Sequence, residues 1–438
     1  MNKIEKVFEK LMPYFLKFAN SKPTLAIKDG FLLTMPLTLV GSIFLLIGCM
    51  PIPGWDNIMT NTFGAGWADP IWQVVGSTFD ILALVGVFGV AYTYAKNEGV
   101  EGISAGVLGI VSLLIVTNSF VITEAGERIG GVIPKAYMGG KGMISAIIIG
   151  ISVGYIYSWF IKRDIRIKMP EGVPQGVANA FSALIPGFAI ITLSSIVFLV
   201  FDRLAGVSFI EVVYDVLQTP IQNMTDSLAG AILIPLLISL FWWGGIHGSA
   251  IIMGIMGPIV TANGLANQAI IDSGAALVVG ENAKIVTAQF VDQYLTFGGA
   301  GLTLGLVLAM ILRAKSAHLK QLGKLSIVPA LFNINEPVLF GMPIVFNPLM
   351  LIPFIGAPLL SSLILYTSIS LGFMPPFGAV VVPWTTPPII GGFIVGGWKG
   401  ALMQIIIILM SASVYYPFMK MQDQISYSAE LEESDATK

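Results

Sequence analysis

Residues 142–161 read GMISAIIIGISVGYIYSWFI, with no charged side chain, and the cluster Lys162, Arg163, Arg166 and Lys168 follows them. An α-helix needs about 20 mostly apolar residues to cross ~30 Å of hydrocarbon, and this run meets that requirement. Comparable runs lie near 30–50, 71–94, 102–122, 177–201, 227–246, 286–312, 347–373 and 392–418. Two further stretches, 247–262 and 326–346, are apolar but crowded with Gly, Pro and polar residues. The expected fold is an all-α polytopic membrane protein with about ten transmembrane helices plus interrupted elements.

Composition agrees. The chain has 438 residues, 55% apolar and 11% charged, with a mean hydropathy of +0.84, whereas a soluble domain carries about 25% charged residues to cover its surface. Lipid penalises those groups, so their scarcity fits a hydrocarbon surround. A net charge of -2 and the lack of a basic, aromatic-interleaved stripe give no reason to expect nucleic acid. Cys49 is the single cysteine, which excludes a disulfide framework or thiolate cluster within the chain. No metal site and no cofactor are expected.

The N-terminus lacks a short apolar core followed by a small-residue cleavage site, so no removable signal peptide is expected. Residues 1–27 read instead as an interfacial amphipathic helix, Val7, Leu11, Phe15 and Phe18 lying opposite most of Lys3, Lys6, Lys10 and Lys17, with a kink at Pro13. Lysines and arginines collect on the cytoplasmic side. Lys3, Lys6, Lys10, Lys17, Lys22 and Lys28 precede Gly30, while 51–70 holds neither residue type. The N-terminus and the loop after 161 are therefore read as cytoplasmic. Arg313, Lys315, Lys320 and Lys324 also favour the cytoplasm, which simple counting allows only if 247–262 crosses; a re-entrant hairpin there reverses the parity.

In 206–219, Phe209, Val213, Val216 and Leu217 oppose Glu211, Asp215 and Gln218 as on a helix at the interface. A connecting segment over 206–225 thus divides a block of five spans, 28–205, from a second block, 226–420. Residues 421–438, rich in Asp423, Glu430, Glu432, Glu433 and Asp435, read as a disordered acidic tail.

Irregular backbone at membrane depth is tolerated only where protein or a water-filled cavity satisfies it, so polar breaks in apolar segments mark candidate substrate sites. Three stand out: Trp242-Trp243-Gly244-Gly245-Ile246-His247-Gly248-Ser249, Asn333-Ile334-Asn335-Glu336-Pro337, and Pro383-Trp384-Thr385-Thr386-Pro387-Pro388. His247 has apolar flanks; the plain alternative to function is a histidine bonded to a neighbouring helix. Glu336 is followed by Pro337, which biases it away from helix and frees a carbonyl, a polar break suited to a sugar hydroxyl or cation. The alternative there is a kink with an internally paired carboxylate. Trp384 offers an indole face for a sugar ring, although tryptophans are common at interfaces. Gln289, Asp292 and Asp80 suit substrate and helix pairing equally, and His318 reads as solvated.

Together these segments resemble the membrane-embedded IIC component of the bacterial phosphoenolpyruvate-dependent sugar phosphotransferase system, in its lactose/cellobiose/diacetylchitobiose family. The carriers are Asp29-Gly30-Phe31-Leu32-Leu33-Thr34-Met35-Pro36, Pro51-Ile52-Pro53-Gly54-Trp55-Asp56, Lys168-Met169-Pro170-Glu171-Gly172-Val173-Pro174, Ile246-His247-Gly248 and the two Pro-containing motifs around Glu336 and Trp384. The resemblance implies a multi-pass bacterial inner-membrane protein, a homodimer joined through its first five helices, and a C-terminal transport domain with two re-entrant hairpins and an elevator-like movement. It also implies that His247 and Glu336 attend the 6-hydroxyl of a disaccharide (cellobiose, diacetylchitobiose or lactose), that Trp384 lies near the sugar, and that Asn335, Gln289 and Asp292 are further contacts. The phosphoryl donor in such systems is a cysteine of a soluble IIB protein charged by IIA. Cys49, inside a span, cannot serve, so IIB and IIA are expected as separate chains, and this chain as the permease subunit of a multi-component enzyme.

Two other classes compete. A proton- or sodium-coupled secondary sugar transporter would titrate Glu336, Asp292 or Asp80. A membrane enzyme on a lipid-linked substrate would want clustered carboxylates beside an interface loop, a pattern not found in the sequence.

Overall fold

The computed structural model describes residues 20–48, 50, 52, 54–123, 125–342 and 344–436, together with 13, 17 and 18. Most of the expected N-terminal amphipathic helix lies outside the described residues, as does Cys49. The described chain is almost wholly helical. Its first block comprises α1 (Lys22–Phe31), α2 (Met35–Gly48), α3 (Trp55–Phe63), α4 (Asp69–Thr78), α5 (Leu82–Asn97), α6 (Ile103–Ile115), α7 (Met143–Lys162), α8 (Gln175–Ser182) and α9 (Leu184–Leu204). A two-stranded antiparallel ribbon, β1 (Phe120–Ile122) and β2 (Arg128–Gly130), follows α6.

Next come α10 (Phe209–Val213), α11 (Thr219–Thr225), α12 (Leu228–Trp243), α13 (Gly248–Asp272), α14 (Ala288–Tyr294) and α15 (Leu304–Arg313). The chain closes with α16 (Ala317–Leu331), α17 (Glu336–Gly341), α18 (Pro348–Ser370) and α19 (Ile390–Ala436), the last kinked at the non-helical Gly397 (φ 61°). Among the described residues seven helices are long and apolar enough to cross a membrane, or up to eight if the bent pair spanning 209–243 counts as one. α6 and α15 are shorter apolar helices.

The first block packs around α5, whose buried Ala83, Val87 and Ala91 meet Ala146, Ile149 and Val153 of α7. α1 lies against the same helix so closely that a Cβ on Gly89 would sit 2.2 Å from the Gly30 carbonyl oxygen. No side chain fits at that crossing. At the ends of these helices Glu98 takes ion pairs from Lys22 of α1 (2.5 Å) and Lys162 of α7. Burial pushes the Glu98 carboxyl up, but the two lysines outweigh it and hold the group below its usual value of 4.5. A carboxylate depressed by folding adds stability above its unfolded pKa, and that stability disappears as pH falls through the folded value. Glu98→Gln should therefore lower the melting temperature of the purified protein at pH 7, with the difference from wild type shrinking at an acid pH below the depressed folded-state value. An equal difference at both pH values would show that the lysine pairs do not stabilise this corner.

Several expected spans differ from the structure. The run 102–122 is helical only to Ile115, beyond which the chain turns into the ribbon. The stretch 247–262, expected to be interrupted, forms part of the continuous 25-residue helix α13, and Pro258 is accommodated within it. The run 286–312 is instead broken into α14 and α15 by a loop with positive φ at Gly298, Gly299, Gly301 and Leu302. That loop exists because side chains satisfy its carbonyls: Gly298 by Thr303 Oγ1 (2.7 Å), Ala300 by Asn335 Nδ2 (2.7 Å), Gly301 by the Tyr415 hydroxyl (2.7 Å) and Leu302 by Ser411 Oγ (2.7 Å). Backbone polar groups left bare in hydrocarbon cost several kcal/mol each, so the four donors permit the break.

The connecting segment also departs from its expected faces. Gln218, assigned to the polar side, is buried, donating to the Gly140 carbonyl (2.7 Å) and accepting from the Ile144 N–H (3.2 Å). Residues 214–218 form a π turn, whose wider winding shifts the helical phase after Val213. The expected disordered acidic tail is corrected too: residues 421–436 continue α19. Asp423 accepts from the N–H groups of Lys315 (2.7 Å) and Ser316 (2.9 Å), and Glu430 from those of Ala317 (3.0 Å) and His318 (2.9 Å). The acidic residues thus cap the start of α16 instead of repelling one another in water.

Candidate functional site

Amide side chains on α13 organise the second block. Asn263 donates to the Val286 carbonyl (2.8 Å), and Asn267 donates to those of Lys284 (2.7 Å) and Phe377 (2.8 Å). Gln268 accepts from the Ala379 N–H (3.1 Å). One helix therefore holds two non-helical segments, 283–287 and 377–380, against its flank. Gln289, expected to meet substrate, donates to the Val380 carbonyl (2.9 Å) and extends this lattice; its Oε1 is buried without a partner among the described residues.

Asn333, a left-handed residue (φ 64°), brings three breaks together. Its Oδ1 accepts from the Gly298 N–H (2.6 Å), and its Nδ2 donates to the carbonyls of Thr386 (3.0 Å) and Trp384. The Gly298–Leu302 loop, the 333–336 break and the 384–386 segment are thereby joined by a single amide. Two residues on, Asn335 is buried and spends its amide N–H on Ala300. Glu336 then opens α17 exposed, its carboxylate without a hydrogen-bond partner among the described residues. The Trp384 side of the clamp is also open, that residue being 54% exposed. An accessible carboxylate and an accessible indole on two segments tied by one amide suit a polyhydroxylated ligand.

His247 caps α13. Its Nδ1 accepts from the Ala250 N–H (3.1 Å), and its ring rests on Trp242 with centroids 4.3 Å apart. Since Nδ1 accepts, the neutral ring carries its hydrogen on Nε2, an assignment made from the bonding geometry. The residue is exposed, so Nε2–H is a free-standing donor. The segment is fixed to the chain beyond α17: Trp243 Nε1 donates to the Asn347 carbonyl (2.9 Å), and the Phe346 N–H to the Trp243 carbonyl (2.9 Å).

Asp292 lies elsewhere on this block, in a cavity of about 360 Å³ between α1–α2 and α13–α14. Lys28, Thr38, Ser249, Ala250 and Thr261 also line it, and Ser249 and Ala250 belong to the turn capped by His247. Asp80 borders a different polar cavity with Lys135 and Asp272. The structure thus ties the segments bearing Asn335, Glu336 and Trp384 through Asn333, fixes the His247 segment to residues 346–347 through Trp243, places Asp292 in a cavity beside the His247 turn, and bonds Gln289 to the Val380 carbonyl.

Asn333 lies in the 333–337 motif without being among the expected contact residues. Its signal is the pair of asparagines in a Pro-terminated break, whose freed backbone groups side-chain amides must satisfy. Asn333→Ala should leave the Gly298 N–H and the Trp384 and Thr386 carbonyls without this partner and let the 336 and 384 segments drift apart. The expected result is at least a tenfold loss of sugar affinity, measured by isothermal titration, with Asn333→Asp intermediate because it keeps the Gly298 bond. Unchanged affinity in the Ala variant would show that the clamp does not shape the site.

Long apolar helices interrupted at depth around polar clefts define a membrane carrier. Residues 28–358 match the family model described as "Phosphotransferase system, EIIC". The lichenan permease IIC component of Bacillus subtilis (strain 168) is 42% identical over 97% of this chain and 94% of its own length. The cellobiose-specific EIIC component of Geobacillus stearothermophilus is 39% identical over 98% and 96%. Among solved structures, the transporter ChbC, the IIC component from the N,N'-diacetylchitobiose-specific phosphotransferase system, superposes with a TM-score of 0.92 and 38% identity, covering 97% of this chain and 99% of that one. The chain belongs to the EIIC family of the phosphotransferase system, the membrane-embedded sugar permeases of bacterial cell membranes.

Proposed function

We propose that this chain imports a β-linked disaccharide of the cellobiose, diacetylchitobiose or lactose type and presents its 6-hydroxyl to a phospho-IIB protein. The observation that carries this reading is the Asn333 clamp, which ties the segments bearing the exposed Glu336 carboxylate and the exposed Trp384. The substrates printed for the relatives, lichenan, cellobiose and N,N'-diacetylchitobiose, point to the same sugar class.

The transfer proceeds with Glu336 accepting the proton of the sugar 6-hydroxyl as that oxygen attacks phosphorus. An O–P bond forms, the S–P bond of the IIB phosphocysteine breaks, and the cysteine leaves as thiolate. His247 Nε2–H donates to the hydroxyl or to a phosphoryl oxygen, stabilising the charge that develops there. Trp384 stacks on the sugar ring. Asp292 meets sugar hydroxyls in the cavity below the His247 turn.

Residues 226–420 act as the transport block, moving against a scaffold formed by 28–205 that pairs with a second copy; 206–225 links the two. The N-terminus faces the cytoplasm. The test is reconstitution with purified IIA and IIB proteins and a panel of radiolabelled disaccharides: phosphorylated disaccharide should form only when phospho-IIB is supplied, and no product from any β-linked disaccharide would overturn the proposal.

A further inference from the structure

The polar cleft that Asp80 borders is walled by all three parts of the chain: Asp80 and Lys135 come from the first block, Gln222 from the connecting segment and Asp272 from α13. Its volume is about 310 Å³, within the range of about 300–1,000 Å³ that small-molecule sites occupy. A Cβ on Gly76 would sit 3.2 Å from Asp80 Oδ2 and 3.3 Å from Lys135 Nζ, so a glycine there leaves both groups their place. Lys135 Nζ also donates to the Gly76 carbonyl (3.2 Å), and Asp272 accepts from Gln268 Nε2 (2.8 Å).

Gln222 is the member of this lining that nothing satisfies. It is 5% exposed, yet its side-chain amide has no hydrogen-bond partner among the described residues. Leaving a buried amide unpaired is costly, so one that lines a cleft points to a ligand that completes it. The charged groups narrow the class, because two carboxylates, Asp80 and Asp272, stand against two ammonium groups, Lys135 and Lys141. Their formal charges cancel, which favours a neutral ligand over an ion. A polyhydroxylated molecule suits such a set, since hydroxyls donate to carboxylates and accept from ammonium and amide groups.

The cleft stands apart from the transfer site. Its α13 residues lie between Ala262 and Asp272, whereas His247 caps the other end of this 25-residue helix, ~37 Å long at ~1.5 Å per residue. Unmodified sugar comes from the side away from the phosphoryl donor and meets the Asp272 end first. Two walls are also tied to the non-helical segments that α13 holds: Gln268 Oε1 accepts from the Ala379 N–H (3.1 Å), and Asp226, just beyond Gln222, accepts from the Val286 N–H (2.9 Å).

We infer that this cleft is an entry subsite for the disaccharide, separate from the transfer site, where Gln222, Asp80, Asp272 and Lys135 bond sugar hydroxyls before the sugar moves on towards Glu336 and His247. It rests on the proposed import of that sugar.

The test compares two measurements on the full chain, with whichever disaccharide of the panel it phosphorylates best. One is initial-rate uptake into sealed vesicles that enclose phospho-IIB and its IIA supply. The other is phosphorylation in lipid nanodiscs, where sugar also reaches the transfer site from the donor's side. Gln222→Ala should raise the half-saturating sugar concentration for uptake about tenfold, as for a lost pair of hydrogen bonds, and Ala269→Trp, which fills the cleft, should raise it further. In nanodiscs the half-saturating concentration should stay within about twofold of wild type for both variants, which also reports correct folding. An equal rise in nanodiscs would place the effect at the transfer site or in the fold and overturn the entry subsite. Unchanged uptake in both variants would overturn it too, while leaving the proposed function intact. Absence of any phospho-IIB-dependent product with the wild-type chain would instead sink the functional reading itself.

Discussion

Glu336→Gln is expected to lower the rate of sugar phosphorylation by about 10²–10⁴, the usual contribution of a positioned proton acceptor, while sugar affinity falls less than about tenfold. The amide keeps the size of the side chain and can still hydrogen-bond a hydroxyl, but cannot take its proton. The local fold should survive, because Glu336 is exposed and makes no hydrogen bond among the described residues, whereas the break around it is held by Asn333 and Asn335. Single-turnover transfer from phospho-IIB, measured beside sugar titration on the same preparation, separates the two effects. Normal turnover would remove Glu336 from the proton-accepting role.

His247→Ala is expected to weaken both steps, lowering sugar affinity about tenfold and turnover about 10–100-fold, in line with the loss of one donor to a developing charge. Two structural losses accompany it: the ring no longer rests on Trp242, and the Ala250 N–H loses its acceptor. An N-cap contributes about 1 kcal/mol, so part of any defect could come from a frayed helix start. His247→Asn separates the contributions, since asparagine caps well but places no donor where Nε2–H stands. The Asn variant should recover the melting temperature of wild type and remain deficient in transfer. Full recovery of transfer by Asn would show that capping is all the histidine does.

The membrane class was legible from composition and run length, because scarcity of charge over ~20-residue windows is a direct consequence of a hydrocarbon surround. The breaks in the backbone were legible only in part. The Asn333–Pro337 and Pro383–Pro388 segments declare themselves through Pro and polar residues, whereas Gly298–Leu302 lies in a run that reads as continuous. Its donors, Tyr415, Ser411 and Asn335, come from distant parts of the chain, and no local pattern announces such long-range satisfaction.

The same limit explains Asn335 and Gln289. Each reads as a polar residue in a costly place, and each gives an amide N–H to a backbone carbonyl. A single sequence distinguishes poorly between an amide that holds a loop and one that holds a ligand. The tail was misread for a related reason: Asp423 and Glu430 look like mutual repulsion until the free N–H groups at the start of α16 are seen to face them.

The proposed function makes sugar crossing and sugar phosphorylation one coupled process. Its most direct test uses sealed vesicles containing the purified chain, with phospho-IIB and its IIA supply enclosed on the cytoplasmic side and radiolabelled disaccharide outside. Label should accumulate inside solely as disaccharide phosphate, and should stop accumulating when IIB is left unphosphorylated. Accumulation of unmodified disaccharide driven by a pH or sodium gradient, without phospho-IIB, would contradict it and make the chain an ion-coupled carrier with Asp292 as the first group to examine.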